Sequence, residues 1–142
     1  MSAYTRVATK IKRPSCLIKA LQKLGFKSHM IETFDTAMGL KGYHGDVRSQ
    51  KAHIRIKGSG WGNQNYVGNA SNDLGWEKLE DGSFAFHVSD YDQSKYDRAW
   101  QNKLLNYYAA EVVREVAEEN SFFIEEEEEI NGEITLIATT LY

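Results

Sequence analysis

Apolar and polar positions recur along this chain with two periods, and the switches between them mark its elements. From Tyr4 to Ile11, Val7, Thr9 and Ile11 fall on one side and Arg6, Ala8 and Lys10 on the other, the period of two of a half-exposed strand. Pro14 and Ser15 then open a helix, proline because it suits the first turn and serine as a candidate cap for free amides. Leu17, Ile18, Leu21 and Leu24 recur at helical spacing while Lys19, Gln22 and Lys23 point away. Gly25 supplies a left-handed stop.

Beyond this helix the pattern predicts a strand over Lys27–Thr33 and a glycine-bearing loop from Asp35 to Gly45. A clear strand follows, with Ala52, Ile54 and Ile56 alternating with His53, Arg55 and Lys57. Gly58 to Asn72, rich in glycine and asparagine around Trp61 and Tyr66, reads as a long loop. Leu74–Leu79 and Phe84–Val88 flank Glu80-Asp81-Gly82-Ser83 as a hairpin. A second helix is expected from near Ser94 to Glu119. Its apolar stripe is Trp100, Leu104, Tyr108, Val112 and Val116, widened by Leu105, Ala109 and Val113. Phe122–Ile130 and Ile134–Leu141 flank Asn131-Gly132, the strongest short hairpin signal in the chain. The order β-α-β-β-β-β-α-β-β predicts an α+β fold with two helices on one face of a mostly antiparallel sheet.

At 142 residues, 42% of them apolar and 12% aromatic, the chain is expected to form a single domain over residues 1–142 and to be ordered. Its one cysteine, Cys16, has no internal partner for a disulfide and sits beside Leu17 and Ile18 as a small core residue. No signal-peptide pattern and no apolar run long enough to cross a bilayer is present, which points to a cytoplasmic protein without a membrane partner.

Charge changes the picture more than composition does. Residues 1–60 carry twelve Lys/Arg against three Asp/Glu, and residues 61–142 carry five against seventeen. The formal net charge of −3 therefore conceals a basic half and an acidic half. The acidic run Glu125–Glu129 reads as a strand edge defended by charge, expected beside the basic strand Arg6–Lys12.

Several segments in collinear order resemble one known family. They are Cys16-Leu17-Ile18-Lys19-Ala20-Leu21 with Leu24-Gly25-Phe26, Gly42-Tyr43-x-Gly45 before Ala52-x-Ile54-x-Ile56, and Asp73-Leu74-Gly75-Trp76. Lys103-Leu104-Leu105-Asn106 with Tyr108-Ala109, and the final glutamate-rich hairpin, complete the set. Together they are similar to the hypothetical chloroplast reading frame thirty-five family of algal plastids, cyanobacteria, other bacteria and phages. The resemblance implies a protein of the cytosol, the plastid stroma or an infected host's cytoplasm. It brings no activity, cofactor or catalytic residue. The stretches Gly58–Asn72 and Glu32–Lys41 are longer than that family's pattern.

No motif assigns a catalytic residue, a metal site or a cofactor. Gly58-x-Gly60-x-Gly62 lacks the following helix that a phosphate cradle requires. His29, His44, His53 and His87 show no ligand spacing. The expectation is a small binding module that works through an unknown protein partner, with Trp61, Tyr66, Asn63, Asn65 and Trp76 as candidate contact residues. Trp61 and Tyr66 need cover from the body, a second copy or a partner, and fold stability is not expected to depend on the loop tip from Gly62 to Gly68. The alternative is single-stranded nucleic-acid binding through Arg6, Lys10, Lys12, Arg55 and Lys57. An enzyme with an unrecognised site is the third reading.

Overall fold

A computed structural model describes residues 2–140. Its elements run β1 (Tyr4–Ala8), α1 (Pro14–Lys23), β2 (Glu32–Lys41), β3 (Val47–Ile56), β4 (Leu74–Lys78), β5 (Phe84–Ser89), α2 (Arg98–Glu119), β6 (Phe122–Ile130) and β7 (Glu133–Thr140). This is the expected α+β class, with two helices and a mostly antiparallel sheet in the expected order. The chain forms two compact units. One joins the residues up to Lys12 with Phe26–Asp97, and the other joins Arg13–Gly25 with the chain from Arg98 onward.

The first unit is built on a five-stranded antiparallel sheet in the order β1-β5-β4-β3-β2. β5 lies inside it, and all six of its residues are buried. Trp76 on β4 stands opposite Phe86 on β5, and their rings stack at 4.7 Å. On the adjoining register Gly75 faces Arg55 of β3. A Cβ at Gly75 would lie 2.7 Å from that of Ala52 and 2.9 Å from the methyls of Leu40, so only glycine admits this approach.

β2 corrects the sequence reading. The segment Lys27–Thr33 holds a single turn of 3-10 helix at Ser28–Met30, and the strand begins at Glu32 and runs to Lys41, through the stretch assigned to loop. Met38 pairs with Ala52 and Gly39 with Lys51, with register shifts on either side. The glycine and the polar residues hide a ladder that β3 supplies from a distance in sequence.

The stretch from Gly58 to Asn72 is a loop, as predicted, with a single 3-10 turn at Ser59–Trp61, and it is packed into the body of its unit. Val67 is buried, and its carbonyl accepts the Tyr96 hydroxyl at 2.6 Å and the Lys95 ammonium at 3.1 Å. The Asn65 side chain closes the loop on itself, donating to Ser59 Oγ and the Gly68 carbonyl and accepting from the amides of Val67 and Gly68. Buried Val67 lies within the tip Gly62–Gly68, on which fold stability was not expected to depend.

In the second unit α1 packs on α2, and α2 on the ribbon formed by β6 and β7. α1 ends at Lys23, and Gly25 beyond it takes φ +109° as the stop signal required. Ser15, expected as a cap, makes no capping bond; its hydroxyl donates to Glu115 instead. Asn131 and Gly132 adopt φ 52° and 81°, the left-handed pair of a two-residue hairpin turn. Among the described residues β6 pairs only with β7, in a sheet separate from the one that contains β1. The expected pairing of the glutamate strand with Arg6–Lys12 is therefore not made.

Candidate functional site

Asp73 organises the first unit. It stands just before β4 and is fully buried. Its carboxylate accepts the amides of Lys41 and Gly58, each at 2.8 Å, and the Trp61 indole N–H at 3.0 and 3.2 Å. Its own carbonyl accepts the Tyr4 hydroxyl at 2.7 Å. Burial holds the Asp73 carboxyl above its usual range, and the three donors only partly oppose that. With both oxygens taken by donors, Asp73 ties segments together and does not stand ready as a base.

Next to it, the Asn72 side chain accepts the Tyr43 amide and donates to Ser89 Oγ, and the Asn72 amide donates to buried Asp92. Gly60 lies so close to the 42–45 turn that a Cβ would sit 2.3 Å from the Gly42 carbonyl oxygen. The segments 41–46, 58–61 and 72–75, read as separate along the chain, thus form one knot.

Above this knot lies a cationic indole cluster. Lys41 Nζ is 3.7 Å from the centre of the Trp61 ring, and the Lys57 ammonium and Arg55 guanidinium are each 4.6 Å away. Such contacts contribute about 0.5–1 kcal/mol each when exposed and more when desolvated. Arg55, 5% exposed, is held by both oxygens of Glu32 at 3.2 and 3.0 Å and donates to the Gly39 carbonyl at 3.1 Å. Lys57 donates to Gln64 at 2.9 Å and lies 3.7 Å from Glu32.

The proposed contact residues therefore fare differently. Trp61 is half-buried and Tyr66, also half-buried, meets His29 edge-on at 5.8 Å. Asn63 is exposed, whereas the polar atoms of Asn65 are used within the loop. Trp76 is wholly buried against Phe86, and this corrects its assignment as a contact residue: it has no surface to offer. Among the basic residues, Arg6, Lys10 and Lys12 are exposed, but Arg55 is buried and ion-paired, so it is withdrawn from the phosphate-contact set.

The charge split also changes form. The first unit holds eleven Lys/Arg and ten Asp/Glu, and the second holds six and ten. The basic α1 belongs with the acidic α2 and β6, while the acids between Asp73 and Asp97 belong with the basic strands. A +9 half and a −12 half become units of about +1 and −4.

In the second unit the acids are gathered by named partners. Arg13 bridges Glu115 and Glu119 at 2.8 and 2.9 Å, and Cys16 Sγ donates to Glu115 at 3.2 Å. Burial, then the Glu115 contact, raises the Cys16 thiol to about 11. Arg114 pairs with Glu111 at 2.7 Å and also with Glu127, and Tyr107 donates to Glu129 at 2.7 Å. α2 presents three sides: Leu104 and Glu111 are buried, Ala110 and Ala117 are buried on another side, and the third is apolar and open. That open side holds Leu105 at 37%, Val113 at 45% and Val116 at 36% exposure.

Depressions in the surface are shallow in chemistry. One of about 440 Å³ is lined by Ser2, Tyr43, Ala70 and Tyr91, and one of about 370 Å³ by Lys103, Asn106, Glu129 and their neighbours. Among the described residues no three His, Cys, Asp or Glu side chains converge as a metal set. No helix among them is long and apolar enough to cross a membrane.

Sequence reasoning missed Lys41, Glu32, Asn72, Asp73 and Asp92 as members of this site. The one available signal was the nearness of Asp73 to Leu74-Gly75-Trp76, already singled out as a motif. A family model described as a protein of unknown function matches residues 20–137 of the chain. No curated protein and no solved structure matches it.

Proposed function

The chain belongs to DUF1257, a family of proteins of unknown function, and we propose that it is a small binding module that acts through contacts with another protein and performs no chemistry of its own. The observation that carries this reading is the open apolar side of α2, formed by Leu105, Ala109, Val113 and Val116 at spacings of four and three residues. A helix face of this kind seeks cover. It lies on a unit with four more acids than bases, so the partner segment is apolar and flanked by basic residues.

The nucleic-acid reading has less support. It drew on a basic face, yet the unit that carries Arg6, Lys10 and Lys12 is close to neutral, and Arg55 is buried and ion-paired. The segments that resemble the chloroplast reading frame thirty-five family support a location in the cytoplasm, the plastid stroma or an infected host's cytoplasm.

Affinity capture from a native lysate tests the proposal, with wild type compared against the double variant Leu105→Glu and Val113→Glu. The expected result is one defined protein retained by wild type and lost by a variant of unchanged thermal midpoint. Equal capture by both, or binding of a single-stranded oligonucleotide that weakens steeply with salt, would overturn it.

A further inference from the structure

The two edges of the β6–β7 ribbon are built differently. β6 carries five consecutive glutamates, Glu125–Glu129, and two of them, Glu127 and Glu129, contact α2 through Arg114 and Tyr107. β7 from Ile134 to Thr140 reads Ile-Thr-Leu-Ile-Ala-Thr-Thr, without charge, proline or glycine. The ribbon's described side-chain bonds to α2 come from β6 and from the turn, where Asn106 donates to the Gly132 carbonyl. The ladder partner of β7 is β6, so the far edge of β7 has no strand paired to it among the described residues. Ile137 on that strand is 46% exposed.

A long, uncharged edge rich in β-branched residues is a template for another strand, and native edges are normally blunted by charge, proline or a bulge. β6 is blunted in this way and β7 is not. The geometry points to a second copy of this chain as the occupant, pairing β7 with β7 antiparallel about a two-fold axis. Electrostatics selects that edge. Joining β6 to β6 would face two rows of glutamates, whereas joining β7 to β7 along Ile134–Thr140 meets no charge, with Glu133 at the strand's first position, and leaves both glutamate strands outermost. The assembly then closes as a four-stranded sheet, β6-β7-β7-β6, because each outer edge repels a further strand. An isologous contact of this kind gives a finite dimer and no fibre. It uses the strand edge and not the open side of α2, so it stands apart from the partner proposed above.

Sedimentation velocity of the full chain across a concentration series, with amide hydrogen exchange at both ends of the series, tests the inference. The variant is Thr135→Lys with Ile137→Lys. These positions face Glu128 and Glu126 in the ribbon register, so the new charges guard the edge while remaining compatible with the hairpin. The expected result is a dimer for wild type, a monomer for the variant with an unchanged circular dichroism spectrum, and wild-type protection of alternate amides from Ile134 to Thr139 that grows with concentration. A wild-type monomer throughout the series overturns the inference, and so does a dimer that survives in the folded variant or open-ended assembly in place of a dimer. If the variant does not fold, the wild-type exchange pattern decides: protection along β7 that ignores concentration overturns it.

Discussion

The hydroxyl of Tyr96 donates to the main-chain carbonyl of Val67 at 2.6 Å, and both residues are buried. Twenty-nine positions apart in sequence, they fasten the middle of the glycine- and asparagine-rich loop to the segment that precedes α2. A loop held this way contributes to stability. Replacing Gly62–Gly68 by a short Gly/Ser turn is expected to lower the thermal midpoint clearly, and Val67→Ala alone to cost about 2 kcal/mol. Thermal denaturation followed by circular dichroism checks both, and an unchanged midpoint for the loop replacement would show the contact to be incidental.

Asp73→Asn tests the knot. Three donors converge on the carboxylate, from Lys41, Gly58 and Trp61. An amide offers one acceptor oxygen and turns two hydrogens toward the remaining donors, so the loss is about 1–3 kcal/mol by urea denaturation. Because burial raises the folded-state value of Asp73, its contribution is fully present below the unfolded carboxylate value and is lost as pH rises through the folded one. The deficit of the variant relative to wild type should therefore be larger in acid than at neutral pH.

Glu115 predicts the opposite slope. Hydrogen bonds from Ser15, Cys16 and Arg13 hold its carboxyl below the usual range, so its contribution is present above the unfolded value and is lost as pH falls through the folded one. Glu115→Gln should be less stable than wild type at pH about 7, and the gap should narrow progressively as pH falls below the ordinary glutamate value near 4.3. Urea midpoints across this pH range read this directly. A gap that does not change with pH would mean that the contact acts through packing alone.

Cys16 is expected to resist alkylation in the folded protein. The residue is buried and its thiol is shifted up to about 11, so the reactive thiolate is scarce at pH about 8. Iodoacetamide labelling followed by mass spectrometry should modify it slowly until denaturant is added. Rapid labelling of the native protein would contradict its place in the α1–α2 contact.

The sequence alone was sufficient where the controlling interactions are local. Pro14 and Gly25 bracket α1, Asn131-Gly132 turns the last hairpin with both residues at positive φ, and the apolar periods give the succession of helices and strands apart from the bounds of β2. These features depend on backbone preferences and on side chains a few positions apart, and the chain carries that information directly. It erred at β2, where Gly39 and its polar neighbours resemble a loop until Lys51 and Ala52 arrive as ladder partners. It erred again at Trp76, because an aromatic read as available for contact can equally be the centre of a sheet. The open side of α2 was legible only as part of an apolar stripe, since a helix with apolar residues on most of its circumference does not say which of them are covered.

The tertiary structure decided everything that rests on distance. Lys41, Gly58, Trp61 and Asp73 meet because antiparallel pairing and a close glycine contact bring the segments that carry them together, and no local pattern encodes that meeting. The same holds for charge. Along the sequence the basic and acidic halves lie end to end, yet folding places α1 with the acidic helix and ribbon, and the acids from Asp73 to Asp97 with the basic strands. Electrostatic energy depends on separation in space and falls steeply through a screened medium, so a charge pattern written along the chain becomes a property of the molecule only after the chain has folded.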